Sequence, residues 1–185
     1  CPRHENSTTK KYPYLKDKLW LTSNGVKMDL IREVDKKKIR RNPKKLIYAS
    51  SPDRGLHALL KIFKRAREYD PKLQLHIFYG FNNINKLIKF NPKFSYYLKT
   101  KKEIYDLLKQ PNVYFRGRIS QTKLYKEWLS AGIWCYSTNF TETSCITSME
   151  AQALGAIPIT NPVWALEDNV RHGVFIQGDA YNDKL

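Results

Sequence analysis

Residues 132–160 read GIWCYSTNFTETSCITSMEAQALGAIPIT. The stretch opens on a short apolar run, crosses a polar loop that carries Glu142, and enters a helix through Glu150. The helix closes at Gly155, a residue suited to the left-handed position just past a helix end. A second apolar run, AIPIT, follows at once. Short apolar runs bounded by turn residues suit strands buried on both faces. Strand, helix and strand in this order are the repeating unit of a parallel sheet.

Outward from this stretch the same unit recurs. LIYAS (46–50) predicts a strand, SPDRG a loop, and the residues after it an amphipathic helix. Leu56, Leu59, Leu60, Phe63 and Ala66 share one face of that helix, with Lys61, Lys64, Arg65 and Arg67 mostly off it. LQLHIFYG (73–80) and NVYFRGR (112–118) predict strands ending near Gly80 and Gly117. Ser120 suits the N-cap of a helix over Gln121–Ala131, with Leu124, Trp128 and Ala131 on its buried side. GVFIQ closes the series. The expectation is an α/β fold, a doubly wound parallel sheet of Rossmann-like type, over residues 45–185. Ligands of such sheets bind beyond the carboxyl ends of the strands, where the loops of interest lie.

Two segments stand apart. Residues 1–44 read as an irregular, basic linker with an Asn24-Gly25 turn signal. Residues 81–111 hold two short helical patterns broken at Asn91-Pro92, basic and rich in Phe and Tyr. They read as an extended connection packing its aromatics into the domain, with a lid or an acceptor or membrane surface as the functional alternative.

The chain has 185 residues, 42% hydrophobic and 13% aromatic, which suits one folded domain. No run nears the roughly eighteen apolar residues of a membrane helix. No secretory signal is legible in the opening residues, and the start at Cys1 in place of Met reads as part of a longer product. Three cysteines, Cys1, Cys135 and Cys145, form neither a disulfide framework nor a zinc signature. A cytoplasmic setting follows as the expectation, with contact at the periphery of a membrane as a further candidate. The net charge of +16 is uneven: residues 1–45 hold 14 Lys/Arg against 5 Asp/Glu. It suits phosphate-bearing partners, whether nucleotide, nucleic acid or anionic lipid.

Two loops carry anion chemistry. In YASSPDRGLHALL the chain turns through Ser50, Ser51, Pro52 and Asp53 into a helix at Arg54-Gly55. Helix starts bind anions through unpaired N–H groups, and a guanidinium adds paired donors. In the other loop Thr143, Ser144, Cys145, Ile146 and Thr147 are expected to form the first turn of the Glu150 helix. Two such helix starts at one sheet edge can hold a diphosphate between them. Glu150, about two turns into its helix, then accepts from a ribose diol, and Glu142 from the hydroxyls of an attached sugar. Taken alone, the first loop reads better as Asp53 capping its helix with Arg54 solvated. The bland alternative for the acids is Glu150 as a helix-surface charge and Glu142 as favouring the helix dipole.

ETSCITSMEAQALGAIPIT resembles the E-x7-E motif of retaining GT-B glycosyltransferases, glycosyltransferase family four in particular, and EAQALGAIPITNP resembles the run that follows it. LIYASSPDRGLHALLKIF is similar to the family's first strand, phosphate loop and helix. VYFRGRISQTKLYKEWLSAGIWCYST is similar to the segment whose G-x-V/I turn touches the nucleobase. The resemblance implies a C-terminal donor domain, with residues 1–44 as inter-domain linker and remnant of the missing N-terminal domain. It implies a nucleoside-diphosphate sugar as donor substrate, no other cofactor and no metal. The donor-binding residues it implies are Ser51, Arg54, Gly80, Gly117, Arg118, Ile119, Glu142, Ser144, Cys145, Ile146, Thr147 and Glu150, with Glu142 and Arg54 catalytic. Departures are Ala49 where many members carry a second cation, and Thr143-Ser144-Cys145 where the family commonly has Gly. The family's final helix, which returns to the first domain, is missing after Leu185.

The expected reaction is retaining glycosyl transfer to a glycan, lipid or protein acceptor, with the isolated domain inactive. No nucleic acid is expected as partner. The competing reading is a basic module for nucleic acid or an anionic surface, without catalysis; it rests on the charge and on the Lys, Phe and Tyr of residues 81–110.

Overall fold

The computed structural model describes residues 2–35 and 38–181; Cys1 and Leu185 lie outside them. Six strands join in one parallel sheet: β1 (Asn42–Tyr48), β2 (Gln74–Phe78), β3 (Val113–Gly117), β4 (Ala131–Tyr136), β5 (Ile157–Thr160) and β6 (Val174–Phe175). Their order is β3-β2-β1-β4-β5-β6. Successive connections run outward from β1 in one direction, then outward from β4 in the other. The switch between β1 and β4 is where doubly wound sheets open a ligand crevice.

Branched and aromatic side chains build the central strands, as suits a pleated surface covered on both sides. Leu46, Ile47 and Tyr48 of β1 and Trp134, Cys135 and Tyr136 of β4 are all buried. The helices between strands fall into two packing groups. In one, α3 (Leu56–Tyr69) lies against α5 (Tyr97–Leu107). In the other, α6 (Gln121–Ser130) contacts α2 (Met28–Asp35) and α7 (Ile146–Ala153), and α7 contacts α8 (Ala165–Asn169). Leu56, Leu59, Leu60 and Phe63 of α3 are each at most 1% exposed. At about 1.5–3 kcal/mol for each large apolar side chain taken from water, they anchor that helix to the sheet.

The expected signals act where they were read. Ser120 caps α6, its hydroxyl accepting from the Lys123 N–H at 3.5 Å. Gly155 takes φ +80° just past α7, and a Cβ there would stand 2.6 Å from the Arg41 guanidinium. That guanidinium donates to the carbonyls of Ala131 and Leu154, tying the end of α7 to the start of β4.

Two expectations need correction. The described part of residues 1–44 is not irregular throughout: it holds α1 (Pro2–Lys11), a 3-10 turn at Pro13–Lys18 and α2. α2 packs on α6 through buried Ile31 and Val34, so it belongs to the body of the domain. With Leu30 packed beside them, these residues form one apolar helix face at i, i+3 and i+4 spacing. β1 also begins earlier than expected, at Asn42, because Lys45 buries its stem and pairs its ammonium with Glu127 and Ser130.

Residues 81–111 break at Asn91-Pro92 as expected, between α4 (Asn82–Phe90) and a 3-10 turn leading into α5. Their packing is divided. Phe81, Ile84 and Ile104 are buried, and Phe81 stacks on Tyr105 with centroids 4.8 Å apart. Phe90, Tyr96 and Leu98 are exposed. The aromatics thus join the core near the strand ends and leave it toward the turn.

Candidate functional site

The loop after β1 and the loop after β4 meet at the switch point. Gly55, at φ +109°, makes the meeting close: a Cβ there would fall 1.8 Å from the Ser137 carbonyl oxygen. Only glycine combines that φ with that approach. Its neighbour Arg54 is thereby set beside Glu142, with Nη1 3.1 Å from Oε1. The guanidinium carbon lies 4.0 Å from the centroid of the Phe140 ring. The Tyr136 hydroxyl donates to the same Oε1 at 2.7 Å. Burial opposes the charge on Arg54, but Glu142, with Tyr136 and Asp53, outweighs it, and the guanidinium pKa is raised. The same pairing, after burial, raises the Tyr136 phenol.

Arg54 and Glu142 line a cavity of about 130 Å³ together with Ser144, Cys145, Ile146 and Thr147. All six are residues expected at the site. Ser51 is not among them. Its hydroxyl bonds Asp53, and its carbonyl accepts from Tyr48 and from the Arg54 N–H; Ser50 lines the cavity in its place.

α7 starts at Ile146, not at Thr143. Thr143 and Ser144 belong to the loop, and Cys145 is the cap, in a non-helical conformation and without a side-chain cap bond. The N–H and hydroxyl of Ser148 both turn back to the Cys145 carbonyl, at 3.1 and 2.7 Å. The N–H groups ahead of Ser148 have no carbonyl a turn earlier in the helix to bond, and they carry the positive end of its dipole. Burial, with Glu142 nearby, pushes the Cys145 thiol up to about 12 and keeps it neutral.

Glu150 is the fifth residue of α7, one turn in and not two. It is buried, and its Oε1 accepts from Tyr125 Oη at 2.7 Å and Gln121 Nε2 at 2.8 Å. Glu150 lines a second cavity, of about 280 Å³, with Ala49, Tyr79, Arg118, Ile119 and Gln121. Thr147 lines both cavities, so the two adjoin at the start of α7. Gly80 and Gly117 line neither, and act on the rim: the Tyr79 N–H donates to the Gly117 carbonyl at 3.0 Å, joining the turns after β2 and β3.

The structure therefore joins one cavity holding a paired cation and acid to another holding an acid bonded by neutral donors. Among the described residues no group of three or more His, Cys, Asp and Glu is placed to hold a metal ion. Sequence reasoning missed Gly55, Tyr136 and Phe140, whose partners come from distant loops. It also missed Gln121 and Tyr125, whose spacing of four residues puts them on one face of α6.

Comparisons with known proteins follow this geometry. The family model described as glycosyl transferases group 1 matches residues 31–182. No curated protein sequence matches. Among solved structures, the pneumococcal O-GlcNAc transferase GtfA in complex with UDP and GlcNAc is similar, with TM-score 0.54 and 18% identity over 79% of this chain and 26% of that one. S. aureus TarM, in complex with fondaparinux, alpha-GlcNAc-glycerol and UDP, gives TM-score 0.57 and 14% identity over 86% of this chain and 28% of that one. Anabaena HepE in complex with UDP and glucose gives 0.56 and 13% over 84% and 40%. At such identities the likeness is one of fold, and the chain spans between about a quarter and two fifths of these proteins' lengths. A family match over most of the sequence and the doubly wound sheet of these GT-B neighbours agree: this chain belongs to the glycosyl transferases group 1 family.

Proposed function

We propose that the chain is the donor-binding half of a retaining glycosyltransferase. Its substrate is a nucleoside-diphosphate hexose. The observation that carries the reading is the pair of adjoining cavities at the sheet's switch point, with buried Glu142 in one and buried Glu150 in the other. The diphosphate lies between Arg54 and the start of α7. The ribose lies toward Glu150, and the base toward Arg118 and Ile119. The UDP and UDP-sugar complexes of the structural neighbours support this donor class.

The chemistry follows from charge. As the anomeric C–O bond breaks, its electron pair passes to the diphosphate. Arg54 and the N–H groups opening α7 meet that charge where it develops, in the manner of an oxyanion hole. The anomeric carbon gains oxocarbenium character. An arriving Arg54–diphosphate contact releases Glu142 from its ion pair and leaves it an acceptor for sugar hydroxyls. The acceptor's oxygen attacks on the face the diphosphate leaves, and the hydroxyl proton goes to a departing phosphate oxygen, so configuration is retained.

Calorimetric titration of the chain with UDP, GDP and ADP tests the donor site, with binding of one diphosphate well above its nucleoside expected. Absence of binding by all three overturns the reading. Product stereochemistry, read by NMR on the longer enzyme, tests retention.

A further inference from the structure

We propose that Gln121 and Tyr125 are positioning residues that make the site select a ribonucleotide and fix which way round the nucleotide lies; this rests on the donor-site reading above. Both donate to the same oxygen of Glu150, Oε1, at 2.8 and 2.7 Å, and Gln121 Nε2 also reaches the Tyr125 hydroxyl at 3.2 Å. These three contacts form a closed triangle. A carboxylate held at one oxygen by two donors loses its freedom to rotate, and Oε2 is left to meet a ligand. Tyr125 is wholly buried behind the carboxylate. Its phenol pKa is raised by burial and by the bond to Glu150, so it stays a donor.

The identity of the donors matters as much as their number. Glu142 is held by a cation, Arg54, whereas both donors seen on Glu150 are neutral. Glu150 is therefore fixed in place by donors that bring no positive charge of their own. Such a group attracts hydroxyl donors and repels phosphates. Vicinal hydroxyls are drawn to this carboxylate, Arg118 of the same cavity lies toward the base, and the diphosphate goes to Arg54 and the start of α7. A deoxyribose leaves the immobilised, desolvated oxygen without its donor, which is the costly case for a buried polar group.

The test uses whichever of UDP, GDP and ADP binds best, together with its 2′-deoxy and 3′-deoxy forms, titrated calorimetrically. The wild-type chain is expected to favour the ribonucleotide over at least one deoxy form by about tenfold or more. Tyr125→Phe is expected to weaken the ribonucleotide by about tenfold and leave that deoxy form nearly unchanged, collapsing the preference. Glu150→Gln should flatten the same preference, and thermal unfolding checks that both variants fold. If Tyr125→Phe weakens the ribo and deoxy ligands equally, or neither, the positioning role is overturned while the donor site stands. If the wild type binds ribo and deoxy forms alike, the selectivity claim falls by itself. Failure of all three ribonucleotides to bind removes the donor reading and this inference together.

Discussion

Replacing Gly55 by alanine tests the contact that brings together the two loops proposed to hold the diphosphate. The new Cβ would sit 1.8 Å from the Ser137 carbonyl oxygen and 2.9 Å from the carbonyl carbon, where ordinary contact begins at 3.4 Å. Both obstructing atoms are backbone, so no side chain can swing aside. The residue would also carry φ +109°, outside the regions an L side chain favours. Backbone strain costs about 1–3 kcal/mol and overpacking about the same again, so the loss is about 2–6 kcal/mol. Against a total stability on the order of 5–15 kcal/mol, that loss is large. The chain can relieve part of it by parting the loops, which withdraws Arg54 from Glu142. Urea denaturation followed by circular dichroism is expected to show the stability loss, and nucleoside-diphosphate affinity is expected to fall with it. A Gly55→Ala variant within about 1 kcal/mol of wild type, binding with unchanged affinity, would refute the claim that this approach builds the site.

Other outcomes follow from the same geometry. Arg54→Ala in the longer enzyme should cost on the order of 2–4 kcal/mol in kcat/KM, as loss of an oxyanion donor does; steady-state kinetics with the cognate donor read this. Burial, reinforced by Lys45, holds the His76 imidazole down at about 4, and both ring nitrogens are buried without a partner among the described residues. The unfolded chain takes up that proton near pH 6.5, so it binds more protons than the native state between about pH 6.5 and 4. Stability should therefore fall on acidification through that window, by on the order of 2 kcal/mol, and His76→Gln should flatten that part of the profile in denaturation series. Burial likewise raises the Cys135 and Cys145 thiols to about 12. Both should resist Ellman's reagent at pH 8 until denaturant is added, because little thiolate is present.

Much of this was legible along the chain, for identifiable reasons. The central strands announce themselves through buried apolar runs, Leu46–Tyr48 of β1 and Trp134–Tyr136 of β4, because a sheet covered on both faces needs them. Ser120 and Gly155 act locally, through bonds to their own helix ends, so their types predict their places. Arg54, Glu142, Ser144, Cys145, Ile146 and Thr147 fall together because the loops after β1 and β4 emerge side by side at the switch point. What escaped depends on distant partners. Gly55 reads as a helix start until Ser137 is seen against it. Tyr125 carries no signal in the sequence that points to Glu150, which lies 25 residues away. The one-residue exchange of Ser50 for Ser51 is a matter of which way a turn faces, and no periodicity encodes that. α2 escapes because its eight residues, apolar at Met28, Leu30, Ile31 and Val34, make only about two turns and stand inside a basic segment that reads as linker.

The central claim is that a diphosphate is held between the Arg54 guanidinium and the first N–H groups of α7, with the ribose toward Glu150. A crystal structure of the chain with its nucleoside diphosphate tests this most directly. The β-phosphate is expected within hydrogen-bond distance of Arg54 and of the backbone at Ile146 or Thr147, with Glu142 released from Arg54 and a ribose hydroxyl on Glu150. A nucleotide bound elsewhere, or bound here with the Arg54–Glu142 pair intact and the ribose turned from Glu150, would contradict it.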